Sequence, residues 1–423
     1  MTPPITKGGT KLSTFYEVAE KKLQVLANGS VTTPKGFTAG GMHCGIKRKR
    51  KDLGWLYSEV PAEAAGVYTT NLFQAAPLIV TKESVAKEGK LQGIIVNSGK
   101  ANTCTGEQGM LDAYEMRSQF TKAIGIKEHY AAVVSTGLIG DLLPMYKINS
   151  GITQIPDAMT SNAPTDFEKA ILTTDTFTKN VAVQLEINGK QISIGGVAKG
   201  SGMIHPNMAT MLGFITTDAN IHHQDLHQAL KEITNETFNC ISVDGDSSTN
   251  DMVLAMANGL AGNEPLTKDH VDWSTFVDGL KFVCESLSKQ IARDGEGATK
   301  LVEVQVNGVA SDQAARNIAK TVISSNLVKT AIHGEDPNWG RIVVAVGYSG
   351  ETLDPHQLTV AIGSVKVVNQ GLPLSFNEEE AKKELEKEHV TLYIDFHQGN
   401  GKGNAWGCDL SYEYVRINAS YRT

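Results

Sequence analysis

The residues with the clearest chemical potential lie in a glycine-rich run that ends at Thr210. The run reads Lys199-Gly200-Ser201-Gly202-Met203-Ile204-His205-Pro206-Asn207-Met208-Ala209, and Met211-Leu212-Gly213-Phe214 follows the threonine. Glycines permit the strained backbone that a side-chain hydroxyl needs to attack the preceding carbonyl. If the Ala209–Thr210 bond breaks, Thr210 becomes an N-terminal nucleophile whose new α-amine, with a reference pKa of about 7.7–8.0, acts as its base. A surface loop or a phosphate-binding loop is the alternative, although the usual phosphate-loop spacing is absent.

The elements around this run are predicted from apolar periodicity. Alternation over 181–187, an Asn188-Gly189 turn and renewed alternation over 192–194 predict a hairpin whose second strand leads to Lys199. Further strands are predicted over 91–96, 214–217, 301–306, 342–346, 358–362, 365–368 and 390–396, and helices over 106–125, over 223–238 and from about 311. The expected fold is α/β (α+β), rich in antiparallel hairpins.

Composition limits the classes of protein that this chain can represent. With 423 residues, 41% of them hydrophobic, and a formal net charge of -7, we expect a globular protein whose main partner is not nucleic acid. The basic run Lys47-Arg48-Lys49-Arg50-Lys51 is either a solvated loop or strand edge, or a site that attracts an anion such as coenzyme A. Five cysteines without metal-like spacing argue against a disulfide framework and favour a reducing compartment.

The N-terminal residues 1–22 lack the apolar core of a signal peptide, and no stretch approaches the roughly 18 apolar residues of a membrane span. We therefore expect a cytoplasmic protein. An organelle transit peptide is the alternative, because the first sixteen residues lack acidic side chains, although they also lack arginine.

The run from Lys199 through Leu212 resembles the processing-site signature of the ornithine acetyltransferase family, enzymes of arginine biosynthesis that cleave themselves before a threonine. Other blocks match the same family in the same order along nearly the whole chain. These are Gly66-Val67-Tyr68-Thr69-Thr70-Asn71, Ala75-Ala76-Pro77, Val96-Asn97-Ser98-Gly99, Ser135-Thr136-Gly137, Ile139-Gly140, Leu143-Pro144-Met145, Val243-Asp244-Gly245-Asp246, Ser248-Thr249-Asn250-Asp251, Asn338-Trp339-Gly340-Arg341, Ile417-Asn418-Ala419 and Tyr421-Arg422-Thr423.

The resemblance implies a set of site residues. Thr210 is the expected nucleophile, and Thr136 and Gly137 are the expected oxyanion hole. The implied substrate-binding residues are Thr173, Lys199, Thr210, Glu296, Asn418 and Thr423, with Thr174 as the alternative to Thr173. Lys199 is expected to pair with a substrate carboxylate, and Glu296 to hold an ammonium group or assist proton transfer. Because Thr423 is the last residue, the C-terminus is expected to be ordered.

The resemblance also implies an architecture and a reaction. The fold would be a layered α-β-β-α arrangement similar to that of the aminopeptidase DmpA. Self-cleavage between Ala209 and Thr210 would give an α chain of residues 1–209 and a β chain of residues 210–423 that share one core, within an α2β2 heterotetramer. The enzyme would move an acetyl group from N2-acetyl-L-ornithine to L-glutamate through an acetyl-Thr210 ester, with ping-pong kinetics. No cofactor is expected, and the sequence leaves open whether acetyl-CoA also donates.

Two other classes of protein remain as alternatives. An aminopeptidase or amidase with the same Thr210 chemistry would pass the acyl group to water, and a non-catalytic binding protein would keep its chain intact. Four further expectations concern residues near the matched blocks. The acidic cluster of Asp244, Asp246 and Asp251 lacks the spacing of a complete calcium loop, so structural hydrogen bonding and no metal are expected. His205 is expected to be structural, Cys104 and Cys240 to be small buried apolar residues, and Lys100 to alter the charge near the oxyanion hole.

Overall fold

The structure is a computed structural model that describes residues 23–205 and 211–420. The strands are β1 (Leu23–Val25), β2 (Phe37–Met42), β3 (Leu53–Tyr68), β4 (Lys90–Lys100), β5 (Ala131–Leu138), β6 (Lys179–Ile187), β7 (Lys190–Lys199), β8 (Leu212–Thr217), β9 (Ile241–Ser242), β10 (Met252–Ala257), β11 (Leu301–Val309), β12 (Thr359–Ile362), β13 (Val365–Asn369), β14 (Leu372–Pro373), β15 (His389–Asp395) and β16 (Gly401–Cys408). The helices are α1 (Ala76–Glu88), α2 (Gly106–Ile124), α3 (Met145–Ile152), α4 (Ile155–Ala158), α5 (Pro164–Ala170), α6 (His223–Glu236), α7 (Trp273–Arg293), α8 (Asp312–Ser324), α9 (Asn326–His333), α10 (Trp339–Gly347), α11 (Glu378–Leu385) and α12 (Tyr412–Asn418).

The first sheet combines strands from both sides of the glycine-rich run. Its order is β1-β6-β7-β8-β10-β3-β4-β5, and β2 pairs with β3. β7 and β8 are antiparallel, whereas β8 pairs in parallel with β10 and β4 pairs in parallel with β5. Segments that precede residue 205 and segments that follow residue 211 therefore hydrogen-bond directly to each other within one sheet.

The second sheet has the order β14-β13-β12-β15-β11-β16-β9 and is built from the later part of the chain. Helix α7 joins the two sheets, since it contacts β6 and β7 of the first as well as β11 and β16 of the second. One large apolar cluster extends through this helix into both sheets. The predicted mixed α/β fold is confirmed. Among the described residues, none of the helices combines the length and hydropathy that a membrane span requires.

The predicted hairpin leads the chain into the glycine-rich run. Ile187 of β6 pairs with Lys190 of β7, and the intervening Asn188 and Gly189 have φ values of 48° and 70°. Positive φ at both positions is what a type I′ turn requires, and the Asn-Gly pair supplies it at low cost. β7 ends at Lys199, whose partner across the sheet is Leu212 of β8. The connection between them thus leaves and re-enters the sheet at neighbouring positions.

The apolar segment 342–346 is helical, so the predicted strand is wrong. It lies within α10, and Ile342, Ala345 and Val346 are buried while Val344 is 59% exposed. This spacing of three and four residues buries one face of a helix. The run was too short to distinguish a strand from a buried helix by periodicity alone.

We expect Phe214→Ala to lower the free energy of unfolding by about 3–5 kcal/mol. Phe214 on β8 and Phe167 on α5 are fully buried and meet edge to face with ring centroids 5.3 Å apart, so truncation leaves a cavity and an unpartnered ring. Urea denaturation measures the change. Val271→Ala, at a side chain that is 88% exposed, is the control and should cost less than about 0.5 kcal/mol. A comparable loss in both variants would contradict this description of the core.

Candidate active site

The predicted site residues that the structure describes converge on one cavity of about 530 Å³. Its walls include Thr136, Gly137, Thr173, Lys199, Glu296 and Asn418. Thr174 lines it as well, so both candidates for the threonine ligand face the same space. Ala209, Thr210 and Thr423 lie outside the described residues. Met211 and Leu212, which follow Thr210 directly, line the cavity.

The proposed oxyanion residues sit where the parallel pair of strands β4 and β5 becomes irregular. Gly99 is paired with Gly137, and the register shifts at Lys100. Gly137 has a φ of 129°, and a Cβ atom on it would lie 2.3 Å from the carbonyl carbon of Gly99. Only glycine fits this position, because a side chain would meet the neighbouring backbone and require a disfavoured conformation. Such an irregularity re-aims side chains and interrupts the regular ladder.

Lys199 is positioned to act on Thr136. Its Nζ donates a hydrogen bond to Thr136 Oγ1 at 3.1 Å. Because the ammonium group is only a donor, the threonine oxygen accepts and its own O–H remains available to donate to a substrate oxygen. Burial lowers the pKa of Lys199, while Asp175, Asp251 and Glu296 favour its charged form. The cavity therefore contains a lysine N–H donor next to a hydroxyl, which suits stabilisation of developing negative charge.

A buried ionic cluster supports this wall of the cavity. Lys179 Nζ lies 2.8 Å from Asp175 Oδ1 and 2.5 Å from Asp294 Oδ2, and the side chains are at most 2% exposed. Burial alone would raise the pKa of the Asp175 carboxyl, but Lys179 and Lys199 together hold that pKa well below its ordinary value. The carboxylate is thus kept ionised, and its oxygens remain acceptors.

Asp175 uses those oxygens to fix two site segments. It accepts hydrogen bonds from the backbone N–H of Thr173 at 3.0 Å and of Gly200 at 2.7 Å. Asp294 accepts from the backbone N–H of Thr176 at 3.1 Å, and its own carbonyl accepts from the hydroxyl of Ser201 at 2.6 Å. The cluster therefore holds the start of the glycine-rich run against the segment that carries Thr173.

Glu296 and Asn418 form a hydrogen-bonded pair in the cavity wall. Asn418 Nδ2 donates to Glu296 Oε2 at 2.7 Å, and the Glu296 backbone N–H donates to the Ser201 carbonyl at 3.0 Å. A Cβ atom on Gly202 would lie 2.3 Å from the Glu296 carboxyl carbon. Gly202 consequently allows this carboxylate to approach the glycine-rich run closely.

Asn250 is a site residue to which the sequence assigned no role. Its Nδ2 donates to the carbonyls of Ala101 at 2.6 Å and Ser135 at 2.8 Å, and its Oδ1 accepts from the hydroxyls of Thr103 and Thr249. All four bonds are buried, and they tie the residue that follows β4 to β5 next to Thr136. The only signal in the sequence was its place in the matched block 248–251.

Asp244 fixes the glycine-rich run just before residue 206 by accepting hydrogen bonds. Its carboxylate accepts from the backbone N–H groups of Met203 at 2.6 Å and Ile204 at 2.8 Å. The His205 carbonyl accepts from the Ser247 hydroxyl at 2.9 Å. The His205 ring contacts Ser242 Oγ at 3.0 Å, and burial lowers the pKa of the ring to about 4. The ring is therefore neutral near pH 7 and holds the chain in place.

The environments of Lys100, Cys104 and Cys240 can be compared with those that the sequence predicted. Lys100 pairs with Asp141 at 2.6 Å, so the positive charge that it brings near Thr136 and Gly137 is offset. Cys240 is buried, and burial raises the pKa of its thiol to about 11. Cys104 is exposed with a φ of 56°, so the prediction that it is buried is wrong. It occupies a left-handed position in the turn before α2, where the chain changes direction at the surface.

One group among the described residues has the spacing of metal ligands. Donor atoms of Glu63, His222 and His223 lie within 4.8 Å of one another, away from the cavity wall. Glu63 also pairs with Lys90 at 2.5 Å and accepts the backbone N–H of His223 at 3.1 Å, at the start of α6. The Glu63 carboxylate therefore has a structural role, because it caps the N-terminus of α6 and pairs with Lys90.

Convergent polar groups and a partly buried lysine meet in one concave site, which is the arrangement typical of an enzyme active site. The family is shown by comparison with known proteins. The ArgJ family matches residues 38–423, and the chain belongs to that family. The prediction of an acetyltransferase of arginine biosynthesis is thereby confirmed.

Curated relatives agree with this assignment, and two solved structures are similar in sequence. The arginine biosynthesis bifunctional protein ArgJ of Oceanobacillus iheyensis is 56% identical over 403 residues, covering 95% of this chain and 98% of the relative, and that of Halalkalibacterium halodurans is 58% identical, covering 94% and 97%. A crystal structure of ArgJ from Bacillus halodurans is 57% identical, covers 49% of this chain and 98% of its own, and has a TM-score of 0.49. The ornithine acetyltransferase of Mycobacterium tuberculosis, complexed with ornithine, is 35% identical, covers 44% and 98%, and has a TM-score of 0.41.

We expect Lys179→Met to lower the free energy of unfolding by about 3–5 kcal/mol at pH 7, because Asp175 and Asp294 are left buried without their cation. The pKa of Asp175, which Lys179 depresses in the wild type, then rises, so acidification protonates it and the deficit shrinks. Urea denaturation at pH 7 and pH 5 measures both effects. Lys281→Met, in a half-exposed pair with Glu236, is the control and should cost less than about 1 kcal/mol. A deficit that grows on acidification would contradict this role.

Proposed function

We propose that the chain cleaves itself between Ala209 and Thr210, and that Thr210 then transfers an acetyl group from N2-acetyl-L-ornithine to L-glutamate. The observation that carries this proposal is the position of the residues on either side of Thr210. Lys199 and Leu212 are paired across β7 and β8, and Met211 and Leu212 line the same cavity as Thr136. Thr210 directly precedes Met211 in the sequence, which supports the proposal that its hydroxyl acts beside the proposed oxyanion donors.

Cleavage begins when Thr210 Oγ attacks the carbonyl carbon of Ala209. The C–N bond breaks as the C–O bond forms, the Thr210 nitrogen takes the proton, and water hydrolyses the resulting ester. Anchors on both sides favour this geometry: Asp244 holds residues 203–204, and the Met252 backbone N–H donates to the Met211 carbonyl at 3.2 Å. The products are an α chain of residues 1–209 and a β chain of residues 210–423.

Acetyl transfer then uses the new α-amine as a base. Thr210 Oγ attacks the acetyl carbonyl, the α-amine takes the hydroxyl proton and returns it to the departing ornithine amine, and an acetyl ester remains. The Thr136 hydroxyl, which Lys199 leaves free to donate, and the backbone N–H of Gly137 stabilise the tetrahedral oxyanion. Each such donor contributes about 2.7–4 kcal/mol. The α-amine of glutamate attacks the ester and leaves as N-acetylglutamate.

The polarity of the cavity suits both amino acids. Ornithine and glutamate share an α-carboxylate but have side-chain ends of opposite charge. Lys199 supplies an N–H donor for a carboxylate, and the Glu296 carboxylate suits an ammonium group. The Asn418 amide already donates to Glu296 and to the Tyr414 carbonyl, so its oxygen remains to accept from a ligand. Thr173 or Thr174 completes the wall. Thr423, which lies outside the described residues, is proposed as a further substrate ligand. The Mycobacterium tuberculosis relative in complex with ornithine supports this ligand class.

Membership of the family also supports proposals about a second donor, the assembly and the location of the enzyme. Its relatives are called bifunctional, which supports acetyl-CoA as a second donor, and the proposed reaction requires no resident cofactor. Two copies of each processed chain would form an α2β2 heterotetramer. A cytoplasmic location suits a biosynthetic enzyme with five free cysteines. An aminopeptidase or amidase with the same nucleophile would instead release acetate.

We expect Thr210→Ala to abolish both cleavage and transfer, because it removes the only proposed nucleophile, whereas Thr210→Ser should retain both. Denaturing mass spectrometry measures the chains, and release of ornithine with formation of N-acetylglutamate measures transfer. Acetyl transfer by the alanine variant would rule out Thr210. Acetate in place of N-acetylglutamate in the wild type would favour the hydrolase.

A further inference from the structure

The basic segment 47–51, here called the basic loop, is folded around one buried carboxylate. Asp52 is fully buried and accepts hydrogen bonds from the backbone N–H groups of Cys44 at 2.6 Å, Gly45 at 3.2 Å and Lys47 at 2.8 Å. Three backbone donors around one carboxylate fix the path of the chain at the start of the loop. The basic loop therefore has a defined backbone conformation at its start.

The outer side of the basic loop carries cations without acidic partners. Arg48, Lys49 and Arg50 are exposed, and none of them forms an ion pair with a carboxylate among residues 23–205 and 211–420. Lys51 differs, since it pairs with Asp166 at 3.0 Å. Three adjacent like charges repel one another, and an anion bound among them would relieve that repulsion. In a chain whose net charge is -7, this concentration of positive charge is a local feature.

The basic loop is attached to the wall of the cavity. Lys47 Nζ donates to the Leu172 carbonyl at 2.5 Å, and an Arg50 guanidinium N–H donates to the Thr173 carbonyl at 3.2 Å. Thr173 lines the cavity. Burial lowers the pKa of Lys47 to about 8, with Asp52 opposing the change and Lys199 adding to it. Lys47 is thus within electrostatic reach of the cavity's own cation, and an anion nearby would favour its charged form.

We propose that the basic loop binds the phosphate groups of a phosphorylated acyl thioester, acetyl-CoA, while its acetyl end enters the cavity. This inference rests on the proposed function. The amino-acid substrates carry no phosphate and are small enough for a cavity of about 530 Å³, so they leave the outer cations without a ligand. Arginine side chains match phosphate oxygens with paired N–H donors, and lysine adds a point charge. Coenzyme A carries its phosphates far from the thioester.

The chemistry at Thr210 needs no further reactant. Thr210 Oγ attacks the thioester carbonyl, the C–O bond forms, the C–S bond breaks, and the thiolate takes the proton that the α-amine removed from the hydroxyl. The same acetyl-Thr210 ester results as with N2-acetyl-L-ornithine. The basic loop contributes binding of the thioester donor alone.

The test is the double variant Arg48→Gln with Lys49→Gln, whose side chains form no hydrogen bond or ion pair with described residues, so folding should be unaffected. We expect the KM for acetyl-CoA, with glutamate as acceptor, to rise about tenfold. The KM for N2-acetyl-L-ornithine should change by less than about twofold, since this donor has no phosphate. The matched control is Lys382→Gln with Lys383→Gln, two exposed lysines of α11 with the same change in net charge.

Calorimetric titration with coenzyme A separates this inference from the proposed function. Wild-type enzyme and the Lys382/Lys383 control should bind it equally, and the Arg48/Lys49 variant should bind it about tenfold more weakly. Equal binding by all three proteins, or no binding by the wild type, would overturn the role of the basic loop. Failure of transfer from N2-acetyl-L-ornithine to glutamate in the wild type would instead overturn the proposed function.

Discussion

The buried ion cluster of Lys179 with Asp175 and Asp294 is the interaction on which the site depends. Two carboxylates in an apolar interior are costly unless a cation and further donors satisfy them. Here one ammonium group contacts both, and backbone N–H groups of the surrounding segments occupy other acceptor positions. Those segments carry Thr173 and the beginning of the glycine-rich run. The hydrogen bonds that satisfy the buried carboxylates therefore also fix the shape of the cavity wall.

From this cluster, alternating charge extends towards the reaction centre. Asp175 favours the charged form of Lys199, and Lys199 donates to the Thr136 hydroxyl. Glu296 and Asn418 face the same cavity from segments far along the chain. A site that contains both a cation and a carboxylate, with each already hydrogen-bonded, needs little reorganisation when charge develops on a substrate. This preorganisation suits a pocket that must accept two amino acids with opposite side-chain charges.

Local signals in the sequence predicted local structure well. The Asn188-Gly189 hairpin follows from turn chemistry, and the match to a family placed six described site residues around one cavity. Predictions from the sequence were wrong where contacts between distant parts of the chain determine the secondary structure or the exposure of a residue. The run 342–346 became a helix because tertiary contacts select its buried face, and Cys104 is exposed in a turn. No sequence pattern reveals that residues as distant as 179 and 294 share a charge cluster, or that Asn250 ties β5 to the residue that follows β4.

The central claim is that Thr210 carries the acetyl group between donor and acceptor. Its most direct test is to incubate the enzyme with N2-acetyl-L-ornithine in the absence of glutamate, quench with acid, and analyse the chains by mass spectrometry. The account predicts a β chain that begins at Thr210 and has gained one acetyl group on that residue, which adding glutamate removes. An uncleaved chain with full activity, or an acetyl group on any other residue that glutamate discharges, would contradict it.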